Sequence, residues 1–269
     1  MSSSDEVPRG RPEAIVRPRA GADVFTVQRI PPRESLAEFV DYHWLVRWDV
    51  PGTYRQQVVP QPRIHLAAEQ GRLLVHGVSR EPFERVLSGR GLVLGTAFHP
   101  AGFRPLLGRS VAEVSGTVQT GLDVFSGDDR AVAELILADG PDEALVRAME
   151  EYLSGLAPQP DETARWVNEL VAEAVRRREI RRAEQLADVA GVSLRVLQRL
   201  FTEYVGIGPK WVIQRFRILD AAAAAHAERP VDWAALAQDL GFSDQAHLTR
   251  VFTQVVGTPP ATYRRDPGT

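Results

Sequence analysis

The sequence predicts an α+β chain. A β-rich N-terminal domain with a helical appendix precedes an all-α domain of two helix-turn-helix subdomains joined by a long helix. Three observations predict this. Short apolar stretches punctuated by Pro and Gly run from about Phe25 to Pro100. From about Phe103 the apolar residues change to helical spacing. The C-terminal part then contains one unit twice, LADVAGVSLRVLQRLFTEYVGIGP from Leu186 to Pro209 and LAQDLGFSDQAHLTRVFTQVVGTPP from Leu236 to Pro260.

Taken in order, residues 1–22 are rich in Pro, Arg and Gly and read as a disordered lead-in. They lack the apolar core of a secretory signal. Strands are expected at Val24–Val27, Trp44–Trp48, Val58–Val59, Ile64–Ala67, Leu73–Val75 and Leu92–Phe98. Helical spacing follows in Val132, Leu135 and Ile136, then in Leu145, Ala148, Met149 and Leu153. Together these make an N-terminal domain over 23–156. Ala157-Pro158-Gln159-Pro160 is a linker, because two prolines in four residues halt a helix. The second domain occupies 161–269. Asp161 or Thr163 caps a helix to about Arg177, with Trp166, Leu170 and Val175 on one face.

Each repeat then supplies a short helix (Arg182–Val189, Trp233–Leu240), a glycine turn and a second helix. Ser193 caps the second helix in the first copy, and Ser243 caps a helix over Asp244–Val256 in the other. Leu186, Ala187 and Gly191 match Leu236, Ala237 and Gly241 at an offset of 50. Leu197, Arg199, Phe201, Gly206 and Pro209 match Leu248, Arg250, Phe252, Gly257 and Pro260 at an offset of 51. Two closely crossing helices need a turn residue free to take positive φ, which Gly191 and Gly241 provide. Leu186, Val189, Val192, Leu197, Leu200 and Phe201 form one core. Leu236, Leu240, Phe242, Leu248, Val251 and Phe252 form the other.

The second helix of such a unit offers its outer face to the DNA major groove. That face carries Leu194, Arg195, Gln198 and Arg199 in the first copy. In the second it carries Asp244, Gln245, His247, Thr249 and Arg250. Arginine pairs bidentately with guanine and glutamine with adenine. Gly208 to Ala227 spans 20 residues, about 30 Å of helix at 1.5 Å per residue. That approaches one DNA turn of about 34–36 Å, so one chain could read two successive grooves without dimerising.

Charge adds little to this. Residues Val175–Thr269 hold 14 Lys+Arg against 10 Asp+Glu, a net of +4, while the remaining 174 residues hold 18 against 25, a net of −7. The chain has no cysteine, which excludes disulfides, thiolate metal sites and a cysteine nucleophile. It fits a reducing compartment. No run approaches the roughly 18 apolar residues of a membrane span.

The stretch GFSDQAHLTRVFTQVVGTPPATYRR, Gly241 to Arg265, combines G-F, T-R-x-F, G-x-x-P and a closing Tyr-Arg. It resembles the DNA-binding domain of AraC-type (AraC/XylS) bacterial transcription regulators, and the resemblance extends over about Asp161 to Arg265. It implies seven helices in two subdomains. Arg195, Gln198 and Arg199 would face bases in the first unit, and Gln245, Thr249 and Arg250 in the second, with His247 beside them. It also implies promoter DNA and RNA polymerase as partners, a cytoplasmic setting, no cofactor and no catalytic residue. Asp244 departs from a phosphate-friendly helix head. It would cap the helix or accept from a cytosine N4.

Other roles compete for several of these residues. Arg199 and Arg250 could form surface ion pairs or meet phosphate, and His247 could be a ring packed between helices. Arg176, Arg177, Arg178, Arg181 and Arg182 are either a solvated helix end or a phosphate clamp. His43, His65, His76 and His99 invite a metal reading, but no ligand spacing supports it. The segments FVDYHWLVRWDV, VVPQPRIHLAAEQG and GTAFHPAGFRPLLG resemble an N-terminal domain carried by some AraC-type regulators, for sensing or homodimerisation. A small-molecule effector pocket could be lined by Trp44, Trp48, Tyr54, Phe98 and Phe103, with Arg63 or Arg104 as anion anchor. Core packing is the simpler role for the aromatics. An enzyme that modifies or repairs DNA with the same reading domain is the alternative class. Alkyl transfer would need a cysteine that the chain lacks. A degenerate, non-binding interaction protein is the third reading.

Overall fold

The structure is a computed structural model that describes residues 25–125, 127–225 and 231–265. The expected lead-in at 1–22, Val24 and the end of the long helix at 226–227 lie outside the described residues. The N-terminal part is one antiparallel sheet of β1 (Phe25–Ile30), β2 (Val40–Val58), β3 (His65–Glu69), β4 (Arg72–His76), β5 (Phe83–Phe98) and β6 (Val118–Thr120). Their order is β1-β2-β5-β3-β4-β6. Every expected stretch between Phe25 and Phe98 falls on or beside a strand. Strand β6, only three residues long, gave no sequence signal.

Two long strands form the centre of the sheet. β2 pairs with β5 from Val40↔Phe98 to Val58↔Phe83, with a register shift between Val50 and Thr53. Pro51 and Gly52 occupy that shift, where proline removes a ladder donor and glycine tolerates the bend. Trp44 faces Gly95 and Trp48 faces Gly91 across the pair. Each indole fills the space its glycine leaves: a Cβ on Gly95 would lie 2.2 Å from the Trp44 ring. The β3–β4 hairpin turns on Gln70-Gly71, both at positive φ (53° and 72°), as a two-residue loop between right-twisted strands requires.

Alternation gives the sheet one face that is almost wholly apolar. Leu45, Leu66, Leu73, Val75, Leu94 and Phe98 are buried on it. They pack against α2 (Gly121–Phe125), α3 (Arg130–Leu137) and α4 (Asp142–Gly155) through Val124, Ala133, Ile136, Met149 and Leu153. Each fully buried Val, Leu, Ile, Phe or Met side chain among them contributes about 1.5–3 kcal/mol. Leu135 was expected on the buried face but is 59% exposed. An eight-residue helix covers its neighbour with one stripe, and Ala133 and Ile136 occupy it. The buried Asp129 before α3 accepts from Leu73 N (3.1 Å) and Arg72 Nη1 (3.2 Å), fixing the helix to β4.

After a connection at 157–160 without helix or strand, seven helices follow among the described residues: α5 (Glu162–Arg176), α6 (Ala183–Ala190), α7 (Leu194–Tyr204), α8 (Pro209–Ala225), α9 (Trp233–Asp239), α10 (Gln245–Val256) and α11 (Pro260–Arg265). Asp161 caps α5, its Oδ1 accepting from Ala164 N at 3.0 Å. The buried stripe of α5 is Val167, Leu170, Val171 and Ala174, with Trp166 and Val175 at its margin. The hydrophobic core does not stop at the linker. One cluster runs from Leu36 in the sheet domain through α5, α6 and α7 to Phe216 in α8. A second cluster holds α9, α10 and α11 against the far half of α8, and includes Val59 from the β2–β3 connection.

Candidate nucleic-acid interface

Both repeats fold as helix, turn, helix. Gly191 and Gly241 end their first helices at φ 66° and 80°, a conformation that side-chain-bearing residues avoid. In the first unit Leu186, Leu197 and Phe201 are fully buried, with Val192 and Leu200 packed beside them. Val189 was expected in this core but is 40% exposed. It lies near the end of a short helix, where Leu186 and Ala187 already fill the buried side. In the second unit Leu240, Phe242, Leu248 and Phe252 are buried, with Leu236 and Val251 at the edge.

The second helices of the two units, α7 and α10, begin on different caps. Ser193 Oγ accepts from Val196 N at 3.3 Å. In α10 the cap is Asp244, whose Oδ1 accepts from His247 N at 2.7 Å. Ser243, expected as the cap, is instead the extra residue of the second turn. Its Oγ donates to Asp244 Oδ2 at 3.3 Å and lies 3.1 Å from His247 Nδ1. The offset of 51 therefore begins at the caps, Ser193 matching Asp244. The His247 backbone N–H, followed by the Ser243 hydroxyl, holds the Asp244 carboxyl below the usual range. The head of α10 is therefore anionic at neutral pH.

The structure puts Arg195, Gln198 and Arg199 on the exposed side of α7, opposite Leu197 and Phe201. Gln245 and Arg250 are exposed on α10, while Thr249 and His247 are half-buried. The His247 ring meets Phe242 edge-on at 5.3 Å, so this side chain also packs the helix head. Arg199 and Arg250 occupy the same place in α7 and α10. Among the described residues no salt bridge occupies Arg195, Arg199 or Arg250, whereas Arg177 pairs with Glu179 (2.8 Å), Arg178 with Asp220 (3.4 Å) and Arg176 with Glu173. Those three are engaged by neighbouring carboxylates.

Between the units, α8 has 17 described residues, about 25 Å of helix. Two arginines that the sequence reading passed over are buried on it. Arg217 Nη2 donates to the carbonyls of Ala174 (2.7 Å), Arg177 (3.1 Å) and Ile180 (3.4 Å), and Nη1 meets Asp220 Oδ2 at 2.7 Å. It satisfies carbonyls at the end of α5 and beyond. Arg215 Nε donates to the Pro60 carbonyl. Burial pushes its pKa down to about 9, which leaves it charged at neutral pH. Nothing in the local sequence separates these two from surface arginines.

The expected effector pocket is not assembled. Phe98 and Phe103 stack edge-on in the core at 5.0 Å, Trp44 and Trp48 cover glycines on the sheet, and Tyr54 lies by Phe25. Arg63 is bound to Asp41 (2.6 Å) and Arg104 to Glu203 (2.9 Å). The imidazole of His65 accepts from Trp44 Nε1 at 3.2 Å, and burial pushes its pKa down to about 3. His76 is 3.0 Å from Glu69, which also receives Arg85. An open cleft of about 570 Å³ lies instead between β1 and α4, bordered by Ile30, Pro32, Arg33, Val146, Arg147 and Glu150. Among the described residues no helix is long and apolar enough to cross a membrane.

Two family models match the chain: a domain of unknown function (DUF6597) over residues 28–119 and the helix-turn-helix domain over residues 186–266. A putative AraC-like transcription regulator of Streptomyces lividans is 37% identical over 82 residues, 30% of this chain and 27% of that protein. The probable transcription factor PqrA of Proteus vulgaris is 31% identical over 83 residues, 31% of this chain and 67% of that protein. Among solved structures, ToxT of Vibrio cholerae aligns at 9% identity and TM-score 0.40 over 90% of this chain and 98% of its own. An AraC-type regulator of Chromobacterium violaceum aligns at 22% identity and TM-score 0.34 over 39% of this chain and 97% of its own.

Proposed function

This chain belongs to the AraC-type transcription regulators, and from that premise we propose that it binds promoter DNA through α7 and α10 together. It is a regulator with a helix-turn-helix domain and not an enzyme. The observation that carries the proposal is the matched placement of Arg199 and Arg250. Each is exposed and free of salt bridges among the described residues, at the same place in a capped helix whose opposite side is buried. Arg195, Gln198, Gln245, Thr249 and His247 complete the proposed contact set. Residues 161–269 form the reading domain of this proposal, and residues 23–156 a sensing or dimerising domain.

The finer reading is a cytoplasmic, one-component regulator that answers to a small molecule and acts on RNA polymerase. The open cleft between β1 and α4 supports a place for such a molecule in the N-terminal domain. An effector would act only through different affinities for two arrangements of the chain. The test is a gel shift of the purified chain on the DNA upstream of its own gene and on sequences enriched from a random pool, with unrelated DNA as competitor. A specific shift that disappears in the Arg199→Ala/Arg250→Ala double variant is expected. Enrichment of no sequence, or a shift competed equally by any DNA, would overturn the reading.

A further inference from the structure

Arg181 makes a direct contact between the two helix-turn-helix units. Arg181 stands between α5 and α6. Its backbone N–H and that of Arg182 donate to Gln185 Oε1 at 2.9 and 3.0 Å, which fixes the residue to the first turn of α6. Its side chain reaches across to the second unit. Nη1 donates to the Gln238 carbonyl in the last turn of α9, at 3.2 Å, where a cation suits the carbonyl end of a helix.

The aliphatic stem rests on Gly241. A Cβ there would stand 2.8 Å from both Cβ and Cδ of Arg181. Gly241 also has φ 80°, so glycine serves twice, as the turn into α10 and as the seat for the first unit. Among the described residues Arg181 forms no salt bridge, unlike Arg176, Arg177 and Arg178.

The two units have separate cores, connected through α8. A single helix bends and curves under load. A contact between the start of the first unit and the turn of the second closes the frame. Arg217 braces the same frame by tying α8 to the carbonyls of Arg177 and Ile180, just before Arg181.

We propose that Arg181, seated on Gly241, sets the spacing between the two DNA segments that the protein reads. This rests on the DNA-binding role of α7 and α10 proposed above. One added base pair moves the second segment by about 3.4 Å along the duplex and by roughly a tenth of a turn around it. A closed frame resists that displacement, and an opened one follows it. Arg181 is thus a positioning residue, acting on specificity through the placement of α10.

The test begins with the sequence that the full chain enriches from random duplexes. Duplexes with one base pair added or removed between the two segments are then titrated by fluorescence anisotropy. The wild type is expected to lose at least about tenfold in affinity at either altered spacing. In Arg181→Ala that loss shrinks to within about threefold, with affinity at the original spacing nearly kept. Arg181→Lys keeps the stem and a donor, and retains the wild-type preference.

Equal weakening at every spacing would assign Arg181 to a phosphate and overturn the proposal, as would an unchanged preference in Arg181→Ala. A wild type that enriches no sequence would overturn the DNA-binding assignment instead, a separate result. Because Arg181 is exposed, the circular dichroism and Tm of Arg181→Ala should match the wild type.

Discussion

Arg104 and Glu203, 99 residues apart, form an ion pair at 2.9 Å that joins α1 (Arg104–Leu107) of the sheet domain to α7. The guanidinium also lies over the Tyr204 ring at 5.6 Å. Nearby, a Cβ on Gly206 would strike Ser115 Oγ at 2.1 Å. The first reading unit is therefore seated on the sheet domain as part of one body.

A double-mutant cycle with Arg104→Ala and Glu203→Ala should give a modest coupling. Both side chains are partly exposed, at 22% and 37%, so about 0.2–1 kcal/mol is expected. Urea melts should show that coupling shrinking as salt is added.

Removing Arg217 should cost more. Arg217→Ala removes the donor held by three backbone carbonyls and one of the two arginines on Asp220, and leaving buried acceptors unsatisfied costs about 1–3 kcal/mol. Chemical denaturation will read this directly. Arg217→Lys should recover only part, since an ammonium lacks the planar fork.

Gly95→Ala should destabilise the sheet by about 1–3 kcal/mol, the usual range for overpacking. The added methyl would meet the Trp44 indole. Trp44→Leu on the Gly95→Ala background should relieve most of that clash, and the Tm values of the wild type, the single variant and the double variant will show it.

The Asp244 cap should make the second unit acid-sensitive. The folded pKa is depressed, first by the His247 backbone N–H, so its contribution is complete above the unfolded value. It fades as pH falls through the folded one. The protection factor of the His247 amide, corrected for its intrinsic exchange at each pH, should fall over that acid range. Asp244→Ala should remove the pH dependence and Asp244→Ser should restore much of the protection.

Arg199→Ala and Arg250→Ala should each cost about 1–3 kcal/mol of DNA affinity and relax preference at one base pair, if each reads guanine. Binding measured across single-base variants of the enriched sequence will check this. A uniform loss with a shallower salt slope would place the residue on a phosphate.

The repeat was legible because its signals are local. A positive-φ glycine, buried Leu and Phe at fixed offsets, and exposed arginines between them need no distant partner. The misplaced cap shows where local reading ends. Ser243 and Asp244 are adjacent and both able to cap, and only the backbone path decides between them. Val189 and Leu135 had the right spacing, but short helices left them no partner. The strands between Phe25 and Phe98 were visible, yet their order was not, because β5 sits between β2 and β3 through pairings far apart in sequence. The same distance hid Arg104–Glu203 and the carbonyls held by Arg217. The pocket aromatics were found individually, but Trp44 and Trp48 meet glycines across the sheet, which draw no attention in a search for apolar neighbours.

Ser193 and Asp244 give the two reading heads unlike charge, one neutral and one anionic. Were the heads interchangeable, the chain could lie on a duplex in either direction with similar energy. With a carboxylate at only one of them, the phosphates beside α10 must be met differently from those beside α7. The phosphate backbone carries the same charge in both directions, so only base contacts by the unlike residues of α7 and α10 would tell one orientation from the other. If the chain binds DNA as proposed, the unlike reading helices would give its operator a front and a back.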